Sequence, residues 1–275
     1  MGVGAIINRP PVTGAEKLNV NILALGDVAG QAGLDILSEK LRGVKKWGNI
    51  DFTVVNGENS AGLGITPNQA EALLEAGADV ITLGNHTWSK QEIHSYLDDN
   101  QYILRPSNFA PQVPGRGWGV FQTSFGGVCV MCLIGRVHMR DNCENPFFEA
   151  DRILKSADAK IVFVDFHAEA TSEKHAMAYY LDGRVSALWG THTHVQTSDC
   201  RVFPKGMGYI TDLGMTGAID SVIGMKPDQP VSHFLGNPPG RFEQARGPAK
   251  IEGAIFEIDA DTGRCVSVEA IRIES

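Results

Sequence analysis

Three absences narrow what this chain can do before any motif is read. No stretch approaches the ~18 consecutive apolar residues that a membrane span requires, although 43% of the 275 residues are hydrophobic. No run of Lys or Arg occurs, and 24 basic against 32 acidic residues leave a formal charge of −8, so the backbone of a long nucleic acid is a poor partner. The five cysteines (Cys129, Cys132, Cys143, Cys200 and Cys265) are odd in number and irregular in spacing. That argues against a disulfide framework and fits a reducing compartment. Cys129 and Cys132 form a C-x-x-C inside an apolar run at 128–134. With no helix N-terminus beside them, they read as core-strand residues and not as a redox pair. Residues 1–17 hold Pro10-Pro11 and no compact apolar segment. Residues 1–18 therefore read as a loose extension and not as a secretory signal. The apolar material is ample to offset chain entropy, and its even spread predicts a single domain over residues 19–275.

What is present has a regular order. Short aliphatic runs at 20–25, 51–55, 79–83, 160–166, 185–189 and 208–211 read as buried strands. Helical spacing occurs at 34–41, 148–154 and 173–181. Thr66-Pro67-Asn68-Gln69 is a helix start with a capping box, and Ser89 to Glu92 offers another before Tyr96. The strand–helix alternation predicts parallel βαβ units. Two hairpins are expected: 119–124 with 128–134 about Gly126-Gly127, and 251–258 with 265–273 about Asp261-Thr262-Gly263.

Polar, metal-competent residues stand just past strand after strand: Asp27, Glu58-Asn59, Asn85-His86, His167, and His192 with His194. In an α/β sheet the carboxyl ends of the strands form the ligand-binding rim. Any one of these residues alone reads as a loop or cap residue; the repetition on five separate segments gives the set its weight. Carboxylates, imidazoles and amides without cysteine suit manganese, iron(II), zinc or magnesium, and there are enough for two ions. A metal pair ~3.5–4 Å apart is a standard device for phosphoester hydrolysis. Two such ions bring +4 against the −2 of Asp27 and Glu58, which would draw an anionic phosphate to the site. Gly57, Gly62 and Gly64 are expected to bring backbone N–H groups near that phosphate. Asp165 and Glu169 flank His167 at two-residue spacing, which makes each either a support behind it or a surface acid. His94, His138, His175 and His233 read as ordinary surface or core residues, and Arg136 and Arg184 as partners of acidic neighbours.

Gly84-Asn85-His86 and Gly190-Thr191-His192-Thr193-His194, with Asp27, Glu58 and His167 in order around them, resemble the calcineurin-like metallophosphoesterases. The chain departs from the wider superfamily at three places. Gly26-Asp27-Val28-Ala29 lacks the usual histidine, Glu58 stands for the usual aspartate, and Thr87 replaces an acidic residue. These departures, with the stretches 56–62, 165–174 and 209–217, resemble the bacterial YmdB-like 2′,3′-cyclic-nucleotide phosphodiesterases, from about Asn21 onward. The resemblance implies an α/β fold, a four-layer αββα sandwich with mixed sheets and a C-terminal β-hairpin, in a bacterial cytoplasmic protein. It implies a di-metal phosphodiesterase acting on 2′,3′-cyclic nucleotides such as 2′,3′-cAMP. Glu58 would bridge the ions, with Asp27, Asn59 and His194 on one and Asn85, His167 and His192 on the other. Iron or manganese is expected, with zinc or magnesium compatible. His86 is implied as general acid, and a metal-bridging hydroxide as nucleophile. The partner would be a small phosphodiester, not a membrane or a long nucleic acid, and a homo-oligomer is compatible. Two other readings stay open: a broader phosphomonoesterase or phosphoprotein phosphatase, and a metal-dependent regulatory protein with incidental turnover.

Overall fold

The computed structural model describes residues 19–238 and 240–275, so the extension expected at residues 1–18 lies outside the described residues. The chain begins β1 (Asn19–Leu25), β2 (Asp27–Val28), α1 (Gly30–Trp47), β3 (Ile50–Asn56), α2 (Pro67–Ala76), β4 (Val80–Thr82), α3 (Ile93–Asp99) and β5 (Ile103–Leu104). It continues with β6 (Trp118–Thr123), β7 (Gly126–Ile134), α4 (Pro146–Ser156), β8 (Ile161–His167), α5 (Thr171–Leu181) and β9 (Ala187–Thr191). It closes with β10 (Arg201–Val202), β11 (Gly208–Ile210), β12 (Met215–Ala218), α6 (Asp228–Phe234), β13 (Ala249–Asp259) and β14 (Cys265–Glu274).

Two mixed sheets result. One runs β2-β12-β13-β1-β3-β4-β5, with β14 also paired to β13; the other runs β10-β11-β9-β8-β7-β6. Strands β1, β3, β4 and β5 are parallel, as are β7, β8, β9 and β11. Their carboxyl ends therefore collect along one rim of each sheet.

Alternation along the strands sorts the core into three apolar layers. From β1, Leu23 and Leu25 pack with Leu37, Leu73 and Ile93 of the helices, while Val20, Ile22 and Ala24 face the other sheet. From β7, Val128, Val130 and Cys132 face the first sheet, while Cys129, Met131 and Leu133 pack with Ile153 and Met177 of α4 and α5. Three apolar layers separate helix, sheet, sheet and helix, the αββα order expected. Cys129 and Cys132, three residues apart, fall on opposite faces and are free thiols. Burial pushes the Cys129 thiol up to about 12 and raises Cys132 as well, so both are inert core residues.

Local signals hold with two exceptions. The Thr66 capping box forms, with the Gln69 N–H donating to Thr66 Oγ1 at 3.3 Å and the Thr66 N–H to Gln69 Oε1 at 3.0 Å. The box expected from Ser89 does not form; α3 starts at Ile93 without a side-chain cap, because residues 85–92 make the turns that carry His86. The first hairpin turns at Ser124-Phe125, and Gly126, at φ 113, already begins β7 and pairs with Thr123.

Candidate metal centre

Each rim residue lies where its strand delivers it. Asp27 opens β2, directly after β1. Glu58 and Asn59 follow β3, Asn85 and His86 follow β4, His167 ends β8, and His192 and His194 follow β9. Asp27, Glu58, Asn59, His167 and His194 are buried, and Asn85, His86 and His192 are half-buried. Gly84 makes the approach feasible, since a Cβ there would overlap both His167 Nε2 and Glu58 Oε2.

One group centres on His167. Its Nε2 lies 3.0 Å from Glu58 Oε1, 3.0 Å from Asn85 Oδ1 and 3.0 Å from His192 Nδ1. Three acceptors thus converge on one ring nitrogen, which can satisfy only one of them well. Donors ~3.0 Å apart match adjacent ligands around a cation with bonds of ~2.1 Å. Glu58, His167 and His192 accordingly form a cluster whose ligand atoms all lie within 4.8 Å of one another.

The second group adjoins it through Glu58. The Asn59 amide donates to Glu58 Oε1 at 3.2 Å and to His194 Nε2 at 3.0 Å. Asp27 Oδ1 lies 3.8 Å from His194 Nε2 and 3.9 Å from His167 Nδ1. That oxygen is buried and, among the described residues, has no hydrogen-bond partner. An orphaned buried carboxylate oxygen is costly and fits a cation between Asp27 and His194. Asn59 presents its nitrogen to this space, and half a turn about χ2 presents Oδ1 instead. All seven expected ligands are therefore brought together, and the donor set fits divalent ions.

These side chains are braced from behind. The Thr191 hydroxyl donates to Asp165 Oδ1 at 2.7 Å and lies 2.9 Å from His167 Nδ1. Thr82 and Asn56 also donate to Asp165. The turn that carries His192 and His194 holds both at positive φ, 100 and 65. Asp27 Oδ2 accepts the His192 N–H at 3.0 Å, and Asp212 Oδ2 accepts the Thr193 N–H at 3.2 Å. Beneath it the buried Lys174 donates to Thr191 O at 2.9 Å and to Asp212 Oδ2 at 2.8 Å. Glu169 meets His192 Nε2 at 3.3 Å and not His167. Sequence reasoning passed over Thr191, Lys174 and Asp212, although each lies inside a stretch that carried the resemblance. The glycine expectation is revised: the Gly57 and Gly62 N–H groups donate to Thr82 O and Asn59 O, so they shape the loop. His175 and Arg184 take the ordinary roles expected, against Asp199 and Asp151.

Charge in the site is centred on the pair of His167 and Glu58. Burial raises the Asp27 carboxyl to about 6, against the pull of His194 and His167. Burial also works to raise Glu58, but the charge and hydrogen bond of His167 outweigh it and hold Glu58 at about 2. For His167, burial favours the neutral ring, yet Glu58, Asp27 and Asp165 raise it to about 9. Burial and the His167 charge push His192 down to about 3. Near neutral pH the site thus keeps a proton on His167 that a cation would displace.

The layered sheets, with this donor set on their shared rim, belong to the metallophosphoesterase-like class. Within it, the model of the family described as YmdB-like protein matches residues 23–271, and the chain belongs to that family. It is 42% identical over 257 residues to the 2′,3′-cyclic-nucleotide 2′-phosphodiesterase of Bacillus subtilis (strain 168), covering 92% of this chain and 97% of that protein. The crystal structure of a protein from Thermus thermophilus, 36% identical, matches with a TM-score of 0.88 over 93% of this chain and 100% of that one. That of a Mycoplasma pneumoniae phosphatase, 37% identical, also scores 0.88, over 93% and 94%.

Proposed function

We propose that this chain is a di-metal phosphodiesterase that opens 2′,3′-cyclic nucleotides to 3′-nucleotides. The observation that carries the reading is the convergence of Glu58, Asn85 and His192 on His167 at 3.0 Å each, one residue away from a half-buried His86. Iron or manganese would suit these side chains: Glu58 would serve both ions, Asp27, Asn59 and His194 would hold one, and Asn85, His167 and His192 would hold the other. When bound, two divalent ions supply Lewis acidity toward phosphate oxygens and acidify water.

The chain's own residues position and protonate. A water oxygen forms the new bond to phosphorus, and the bond from phosphorus to the ribose 2′ oxygen breaks. An alkoxide leaves poorly, so His86 gives that oxygen a proton. Asn85 Nδ2, 3.3 Å from His86 Nε2, occupies that nitrogen and leaves Nδ1 to carry the proton. The Glu58 carboxylate accepts the His86 N–H at 3.1 Å and fixes its backbone against the ligands. Burial raises the nearby Asp141 carboxyl, against the pull of His86.

The test is a substrate panel on manganese- and iron-loaded protein, with 2′,3′-cAMP, p-nitrophenyl phosphate and a phosphopeptide. Release of 3′-AMP at a kcat/KM well above that for either monoester is expected. Preference for the monoesters would favour the broader phosphatase reading, and no turnover of any substrate would favour a regulatory protein.

A further inference from the structure

The cleft over the cluster, about 350 Å³, is lined by Glu58, His86 and His194 and also by Leu63, Ile223, Met225 and Phe242. Leu63, Ile223 and Phe242 are 51%, 55% and 39% exposed. A phosphate and its cations call for polar partners only, so three large apolar side chains open to water beside them need another reason.

Ile223 sharpens the question. Its φ is 47, and Gly224 follows at φ 99, while Val222 and Met225 exchange backbone hydrogen bonds at 2.9 and 3.0 Å. This is a two-residue turn with both central residues left-handed, for which Asn-Gly is the favoured sequence. A β-branched residue there is an outlier. The Ile223 carbonyl accepts from His194 Nδ1 at 3.0 Å, but any residue has a carbonyl. The side chain is exposed, so core burial does not account for it either. Strain of this kind persists where function holds it, and what the isoleucine adds is an apolar surface in the cleft.

We propose that Phe242, Ile223 and Leu63 form the subsite for the nucleobase of the substrate, an inference that rests on the cyclic-nucleotide reading. The Phe242 ring supplies a stacking face, and Ile223 and Leu63 supply apolar edges around it. Stacking of this type accepts every base, because every base has a π-face. Purines, with the larger face, are the better substrates. Specificity for nucleotides then lies in these apolar residues, and chemistry lies in the polar residues that line the same cleft.

The experiment compares 2′,3′-cAMP with glycerol 1,2-cyclic phosphate, which has the same five-membered phosphodiester and no base. Phe242→Ala and Ile223→Asn are assayed beside the wild type; asparagine suits the turn and keeps the carbonyl. Each variant should lose roughly ten- to hundred-fold in kcat/KM for 2′,3′-cAMP, chiefly through KM, with little change on the base-free substrate. Equal losses on both substrates, or no loss on 2′,3′-cAMP, would overturn the subsite. If the wild type hydrolyses neither substrate, the phosphodiesterase reading fails on its own, and calorimetric titration decides the subsite separately. Then 3′-AMP must bind more tightly than inorganic phosphate and lose that advantage in Phe242→Ala; equal binding of the two ligands by the wild type overturns it.

Discussion

Replacing Thr191 with valine removes one oxygen and one proton from beneath the cluster and leaves the side-chain shape almost unchanged. The hydroxyl has a single proton, which goes to Asp165 Oδ1 at 2.7 Å, so it accepts from His167 Nδ1 at 2.9 Å. That bond fixes Nε2 as the ring atom facing Glu58, Asn85 and His192. In Thr191→Val, Nδ1 loses its partner, and Asp165 keeps only Thr82 and Asn56. A buried group left unsatisfied costs about 1–3 kcal/mol, so the melting temperature should fall. Loss of the outer hydrogen bond to a metal-ligating histidine typically costs ~10–100-fold in affinity. Manganese titrated against a competing chelator should show that loss, while turnover at saturating manganese recovers, because Thr191 does not line the cleft. A variant with a lowered melting temperature and unchanged manganese affinity would refute the reasoning, since Thr191 would then be only a core hydrogen bond.

Glu58 Oε1 touches His167 of one group and Asn59 of the other, so Glu58→Gln should lower occupancy of both ions together; elemental analysis that finds one ion fully retained would contradict a bridging role. His86→Ala should keep its metal and lose ~10²–10⁴-fold in kcat, whereas a parallel loss of metal would make His86 a ligand. The folded pKa of Asp27 is about 6 against an ordinary 3.8, and that of His167 about 9 against 6.5. Both are raised by folding, so each contributes stability that is present at low pH and is lost as pH rises through the folded value. His192, pushed down to about 3, works in the opposite direction up to about pH 6.5, so the melting temperature of metal-free protein should fall most clearly between about pH 6.5 and 9, where the His167 contribution is lost. The gain on adding manganese should grow from pH 6 to 9, as the His167 proton becomes easier to displace; a gain independent of pH over that range would count against the assignment.

The parts of the fold legible in the sequence were those with a period. Unbroken apolar runs in β1, β7 and β8 marked strands with two buried faces, and the donors were visible because each follows such a run. Strands β2, β5 and β10, of two residues each, are too short to carry a period; the sheet around them specifies them. Strand β12, Met215–Ala218, is held by Asp27–Val28 on one side and Lys250 on the other, contacts that no local pattern announces. The supports of the site were hidden for a related reason. A threonine or lysine buried under a ligand looks like a surface residue until its partners are known, as with Lys174 and Asp212, 38 positions apart. Spacing placed Asp165 and Glu169 near His167, but only the turn after β9 decides that Glu169 meets His192 instead.

Turnover is expected to need two ions held by these seven side chains. Elemental analysis of the purified protein, run with 2′,3′-cAMP hydrolysis before and after chelation, tests it most directly. The expected result is about two divalent ions per chain, loss of 3′-AMP formation on chelation, and its return with added manganese or iron. Full activity in protein stripped of both ions would contradict it.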